Sequence, residues 1–314
     1  MTSTSTTTET QTGPKVCEVS IVPQSRYSRR TQYKYAAYLP VYDETTTFSP
    51  TEPFDFSDRG LLADKAKPYL LGTPNAFVTK LTPRVGTEIR GLQLSELGDE
   101  QKNELALLLA ERGVVVFRDQ DFKEIGPEKQ KAFGQYFGKL HVHPVGAHVK
   151  DHIEFHNIYL GADNLYRAQQ RSSKLTTTGY HSDVSQAEGA RRDGKLARRE
   201  PVKSDHPIVR VHPVTVQKSL FVNPGFTRRI VGLKYEESEA ILQLLFRHIS
   251  TSADVQVRSK WDDRTVVLWD NRVTAHTAIS DYDVLDPDEG LRYGFRITTL
   301  GEKPVGVNGL ESTW

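Results

Sequence analysis

Apolar residues recur at helical spacing in three places along the chain. Over Ser95–Arg112, Leu105, Leu108 and Leu109 fall on one face, and Gly113 ends the pattern, which predicts a helix. The unbroken apolar run Val114–Phe117 that follows is too short for a helix and predicts a strand buried on both faces. A second helix is predicted from Pro127 to Gly138, with Pro127 in its first turn and Phe133, Tyr136 and Phe137 facing inward. A third is predicted from Tyr235 to Ile249, burying Ile241, Leu244, Leu245 and Ile249. Strand-like runs follow at Val255–Val257, Thr265–Trp269 and Leu291–Thr299. With no internal repeat, several short late strands and a few packing helices predict an α+β, mainly β chain built on a sandwich or barrel.

Upstream of residue 71 the pattern weakens. Residues 1–70 read as a disordered tail and an extended arm, and 71–314 as the ordered domain. Between Arg26 and Tyr42 the arm interleaves Arg26, Arg29, Arg30 and Lys34 with Tyr27, Tyr33, Tyr35, Tyr38 and Tyr42. Basic and aromatic residues together can bind single-stranded nucleic acid. A formal net charge of +1 favours the other reading, an arm wrapped on the domain or on a partner subunit, and leaves homo-oligomerisation open. No nucleic-acid partner is expected. No apolar run reaches the length of a membrane span, and Met1–Gly13 lacks both an apolar core and Arg, so no membrane and a cytoplasmic location are expected. The single cysteine, Cys17, excludes an intrachain disulfide and a Cys-based zinc site. No Gly-rich phosphate loop lies between a strand and a helix, which argues against a nucleotide enzyme.

Two histidine clusters have ligand-like spacing. In Leu140-His141-Val142-His143-Pro144, with His148 close behind, a strand would turn His141 and His143 to one face, where they can chelate a metal. In Gly179-Tyr180-His181-Ser182-Asp183, the same geometry sets an imidazole beside a carboxylate. Two His and one carboxylate on one face of an octahedral ion are the arrangement of non-haem Fe(II) oxygenases. His-x-Asp alone is common, and the distal context gives it weight. Trp269–His276 ends an apolar strand with a histidine able to supply a third ligand, and Arg292 and Arg296 lie four residues apart on the strand beyond. Two guanidiniums on one strand face, roughly 13 Å apart, suit two anionic ligands.

These residues resemble the taurine dioxygenase (TauD/TfdA) family, particularly its fungal sulfonate dioxygenases. The resemblance runs through Gly113–Gln120, Leu140–Pro144, Tyr180–Ser185, His206–Pro213, Leu220–Val231, Trp269–His276 and Arg292–Pro304, about the last three-quarters of the chain. It implies a double-stranded β-helix (jelly-roll) core with flanking helices. It further implies that Fe(2+) is held by His181, Asp183 and His276, and that Arg292 binds 2-oxoglutarate. Arg296 and His143 would bind a substrate sulfonate, the backbone at Val184 would orient it, and Phe226 would line its pocket. His141 then becomes structural. The activity implied is O2-dependent hydroxylation of the carbon next to a sulfonate, giving sulfite, an aldehyde, succinate and CO2. The alternative reading keeps the family and gives this chain an alkyl sulfate or a carboxylate as its substrate.

The chain departs from the family pattern in three places. Val145 and Gly146 stand where the family has an aromatic substrate contact. Asp286-Pro287-Asp288-Glu289-Gly290 lengthens the loop before Arg292. Only 24 residues separate Asp183 from Ile208, and they are polar and rich in Arg, where relatives carry several tens more. The segment 184–207 thus implies a jelly roll lacking part of its central strands, and a truncated inactive relative stands as the rival to an active enzyme.

Overall fold

The computed structural model describes residues 35–41, 45–49, 52–160, 198–199, 204–279 and 292–313. Met1–Ala37 and Tyr38–Trp314 are separate units, and nearly all described elements belong to the second.

The run Val114–Phe117 forms β4, as its unbroken apolar sequence predicts, and Val115, Val116 and Phe117 are fully buried. It lies inside a four-stranded sheet with β2 (Phe77–Lys80), β3 (Thr87–Arg90) and β9 (Val266–Trp269), in the order β2-β3-β4-β9. β3 and β4 are parallel, so the chain must cross over between them, and the helix α2 (Asp99–Arg112) lies in that connection. Leu105 and Leu108 of α2 join Ile89, Val115, Phe117 and Leu70 in the core. Leu70 belongs to the short helix α1 (Pro68–Leu71), whose first N–H groups are accepted by the buried carboxylate of Glu104.

A second sheet has the order β1-β5-β6-β10, all antiparallel: β1 (Pro40–Val41), β5 (His148–Val149), β6 (His152–Leu160) and β10 (Arg292–Ile297). One face packs aromatically, Phe295 lying against Phe155 and stacking on Tyr38 of the arm at 5.4 Å. β7 (Val209–Val211) and β8 (Lys218–Leu220) form a separate two-stranded ladder. Among the described residues these are open sheets mixed with helices, not a closed barrel.

Several expectations need correction. α2 starts at Asp99, not Ser95, because Leu94–Glu96 is a separate 3-10 turn. There the Ser95 hydroxyl donates to Asp121, and Gly98 N–H finds Gln101 Oε1 at 3.0 Å, which starts the helix. α3 (Pro127–Phe137) stops at Gly138 as predicted. α4 (Tyr235–Thr251) lies where predicted but is rotated: Leu242 is buried, whereas Ile241 and Leu244 are 41% and 67% exposed. The inward ridge runs Ser238, Leu242, Leu245, Ile249, at i, i+4, i+7 and i+11, with Ile241 and Leu244 on its flank. Val255–Val257 is no strand; Ala253–Val255 forms a 3-10 turn directly after α4. The nine-residue β6 was not anticipated. No described helix is long and apolar enough to cross a membrane.

Candidate active site

β9 ends at Trp269, and the chain then makes a turn fixed almost entirely by charge. Asp270 N–H donates to the carbonyl of Gly113, which caps α2 at φ 71 and whose missing Cβ would otherwise meet Thr274 Cγ2 at 2.9 Å. The Asp270 carboxylate accepts from Arg272 Nε at 2.8 Å, from a terminal Arg272 nitrogen at 2.7 Å and from Arg272 N–H at 2.9 Å. It also meets His212 Nε2 at 3.0 Å. His212 Nδ1 accepts from the backbone of Val214 and Thr215, so Nε2 carries the proton it donates to Asp270. Arg272 reaches on to Asp58 at 2.6 Å and Glu302 at 3.0 Å, and Glu302 pairs with the buried Arg210. Burial alone would raise the Asp270 pKa, yet the bonds from His212 and Arg272 hold the carboxyl far below the usual carboxylate range. The Thr274 hydroxyl closes the turn on the Asp270 carbonyl at 2.7 Å. Two residues later comes His276, half-buried, its ring 5.5 Å from that of Trp269.

The second part of the site lies on the β5-β6-β10 sheet. Arg292 opens β10 and Arg296 follows in the same strand phase, with Gly294 between them. Among the described residues, no atom lies within 4 Å of where a Cβ on Gly294 would stand. Arg296 is paired in register with His156 of β6, and His156 with His148 of β5, so one row crosses three strands. The segment 139–146 runs beside this row, tied to the end of β10 by His141 N–H to Thr298 O and Leu300 N–H to Lys139 O, each 2.8 Å. His143 Nδ1 is in contact with the Val145 carbonyl, and the His143 ring stacks on that of His156 with centroids 4.1 Å apart. Arg198 and Arg199, from the short segment after Asp183, close against this loop. Arg198 N–H donates to Pro144 O at 2.8 Å, its guanidinium to Gly146 O at 2.9 Å, and Arg199 reaches Val142 O at 3.5 Å.

The expected site residues are therefore placed unequally. His181, Asp183 and Val184 lie outside the described residues, and of Arg292 only the backbone is described. His143 and Arg296 both border His156. Phe226 is half-buried in a turn after β8, where the buried Asn223 accepts Gly225 N–H. No hydrogen bond or ring contact among the described residues joins Phe226 to His143 or Arg296. The strand expected at His141–His143 is instead irregular backbone, and the two rings stand 6.2 Å apart at 85°. No group of three His, Cys, Asp or Glu able to hold a metal occurs among the described residues, so that cluster does not form a chelate there. Of the three expected iron ligands the described one, His276, fits the role in chemistry: a partly buried imidazole on a rigid turn suits a ferrous ion. A cavity of about 350 Å3 between Phe54–Arg59 and Gln135–Lys139 contains none of the expected site residues.

The profile of the taurine catabolism dioxygenase TauD, TfdA family matches residues 78–192 and 186–298. The chain belongs to this family. It is 36% identical to the alpha-ketoglutarate-dependent sulfonate dioxygenase of Saccharomyces cerevisiae, over 89% of this chain and 81% of that protein. It is 34% identical to the alpha-ketoglutarate-dependent dioxygenase cnsP of Penicillium expansum, over 86% and 87%. The fold is similar to that of a taurine dioxygenase from Burkholderia xenovorans, with a TM-score of 0.55 at 28% identity over 76% of this chain and 94% of that one. The TauD-type jelly-roll class read from the motifs is thus the class of its structural neighbours, as is the 2-oxoglutarate-dependent non-haem iron dioxygenase class of the family. The alignment with the yeast protein spans 337 positions, more than the 314 residues present here, so that relative carries residues without counterpart in this chain. The family profile matches in two stretches that meet at 186–192, inside the short segment that follows Asp183.

The charge-locked turn before His276 was missed from sequence, and so was His156. The turn's partners lie far away in the chain, Asp58 214 positions from Arg272. His156 stands two residues from Glu154 and four from His152 in one strand phase, a spacing that the sequence reading passed over. The usable signal was its setting in an unrecognised strand, two residues from the β-branched Ile158 and one from Phe155.

Proposed function

We propose that this chain is an Fe(II)- and 2-oxoglutarate-dependent dioxygenase that hydroxylates the carbon bearing a sulfonate, releasing sulfite and an aldehyde with succinate and CO2. The observation that carries the reading is β10: two arginines in one strand phase, separated by a glycine with no described atom near the place of its missing Cβ, the second bordered by histidines. One arginine suits the far carboxylate of 2-oxoglutarate and the other the substrate anion, since a guanidinium holds either through paired donors. His181, Asp183 and His276 would hold the iron, Arg292 the cosubstrate, and Arg296 and His143 the sulfonate. Val184 N–H would orient it and Phe226 would cover its carbon chain. When bound, iron and 2-oxoglutarate supply the power to oxidise an unactivated C–H bond with O2. The protein's part is to aim that bond. Arg296 and His143 fix the anion, hence the adjacent carbon, while the Asp270–Arg272 turn fixes the height of His276.

The same pocket chemistry admits a second reading, a sulfate ester. An alkylsulfatase of Acinetobacter baylyi is 28% identical over 76% of this chain, which favours that option among the alternatives. The test is product analysis with Fe(II), 2-oxoglutarate and O2. Sulfite and succinate released together from taurine or isethionate support the sulfonate reading, and sulfate released from alkyl sulfates alone replaces it. Succinate from neither, nor from a carboxylate such as a phenoxyacetate, marks an inactive relative. His181→Ala is expected to abolish turnover while His141→Ala retains it, and the reverse would overturn the metal assignment.

A further inference from the structure

Resting on the anion-binding reading above, we propose that His156 is an additional substrate-binding residue, giving an N–H to the tetrahedral oxyanion head group held by Arg296 and His143. Three geometric observations carry it. In the β6–β10 ladder His156 is directly paired with Arg296, so the two side chains leave the sheet on one face as nearest cross-strand neighbours. Its ring stacks on His143 at 4.1 Å with 24° between the planes, which sets both imidazoles edge-on to the same space. Its Nδ1 is buried and makes no hydrogen bond. A buried polar nitrogen without a partner is uncommon and asks for one.

The backbone is shaped to admit this ring. Gly146 sits at φ 95, and a Cβ there would come within 2.9 Å of His156 Cε1. Any other residue would both strain the loop and push the ring off His143. Arg198, docked on the Gly146 carbonyl, closes the far side. Burial, and then the neighbouring His143, Arg296, His141 and Arg198, push the His156 pKa down to about 2, so the ring is neutral at physiological pH. A neutral imidazole offers one N–H to an oxyanion without adding a further charge to a crowded cationic wall. This distinguishes its role from that of Arg296, which supplies charge; His156 supplies direction. The head group chemistry is common to sulfonates and sulfate monoesters.

The experiment is calorimetric binding of 1-butanesulfonate and of butyl sulfate to the full chain with Fe(II) and 2-oxoglutarate in the absence of O2. The variants are His156→Phe, which keeps the stacked ring but has no N–H, and His156→Gln, which keeps a donor. Loss of one hydrogen bond to a charged group predicts that His156→Phe weakens the wild-type ligand by about tenfold or more, with His156→Gln closer to wild type and the 2-oxoglutarate affinity unchanged in both. Tighter binding of one probe by the wild type identifies the head group. Wild-type binding of a probe that His156→Phe matches would overturn the role of His156 and leave the anion reading standing. No binding of either probe by wild type that still binds 2-oxoglutarate would overturn both. If His156→Phe does not fold, His156→Gln decides: a retained affinity supports a donor, and a loss equal to removal of Arg296 overturns it.

Discussion

Two clusters of arginine and histidine stand in this protein, and they are built on opposite principles. In the turn after β9, Arg272 and Arg210 are met by Asp58, Asp270 and Glu302, and the imidazole that meets them, His212, has both nitrogens bonded. Around His156, the described charges acting on the ring are all positive, and its Nδ1 has no bond. Matched charge makes a rigid object; a one-signed wall makes a receptor. The first region sets where His276 stands, and the second sets what approaches it. The same residue types thus serve position in one place and recognition in the other, and only the partners tell them apart.

The sharpest way to break the comparison is Asp270→Asn. It leaves Arg272 partly buried beside a lost charge partner, and removing one member of a buried ion pair costs about 3–5 kcal/mol. Denaturant unfolding at pH 7 measures that, while the folded fraction should bind 1-butanesulfonate within about threefold of wild type because the turn does not touch the anion. Equal losses in stability and in affinity would merge the two regions into one. Arg296→Ala is the reciprocal change. It should weaken the sulfonate by about 10–150-fold, the worth of hydrogen bonds to a charged group, and leave 2-oxoglutarate binding intact.

A smaller effect comes from pH. His156 has a folded pKa of about 2, below the ordinary imidazole value, so its contribution to stability is intact above about 6.5 and falls as pH drops. The loss should reach about 2 kcal/mol by pH 5 and be absent in His156→Gln. Asp270 adds its own loss only in stronger acid: its carboxyl is held below the usual carboxylate range, so its stabilisation is full above the unfolded value near 4 and is lost progressively as pH falls below that value. Unfolding curves at pH 7, 5 and 3 separate the two. A loss between pH 7 and 5 that His156→Gln shares would reassign the titrating group.

What could be read from the sequence was what is local. β4 declares itself as an apolar run, and α2 and α3 by their spacing and their glycine stops, because helix and strand periods are written over neighbouring residues. The facing of α4 was misjudged since Ile241, Leu242, Leu244 and Leu245 are all apolar, and which of them turns inward depends on what packs there. β6 was hidden because His156 and Asn157 interrupt its apolar pattern, and both do so for tertiary reasons, Asn157 donating to the Tyr38 carbonyl at 2.6 Å. For the site, motif spacing identified His276, Arg296 and His143 as candidates. It was blind to His156, and it took the His141–His143 segment for a strand when its backbone is committed to the end of β10.

The bond from Arg272 to Asp58, with Glu302 completing the clasp, joins chain segments from near the start, the late middle and near the end of the fold. Contacts of such sequence separation are slow to form, because the loops that join them must close first. On a ribosome, the turn bearing His276 has no complete set of partners until Glu302 has emerged. The imidazole expected to bind iron therefore acquires its fixed position only as folding ends, so an unfinished chain cannot present it in its working geometry.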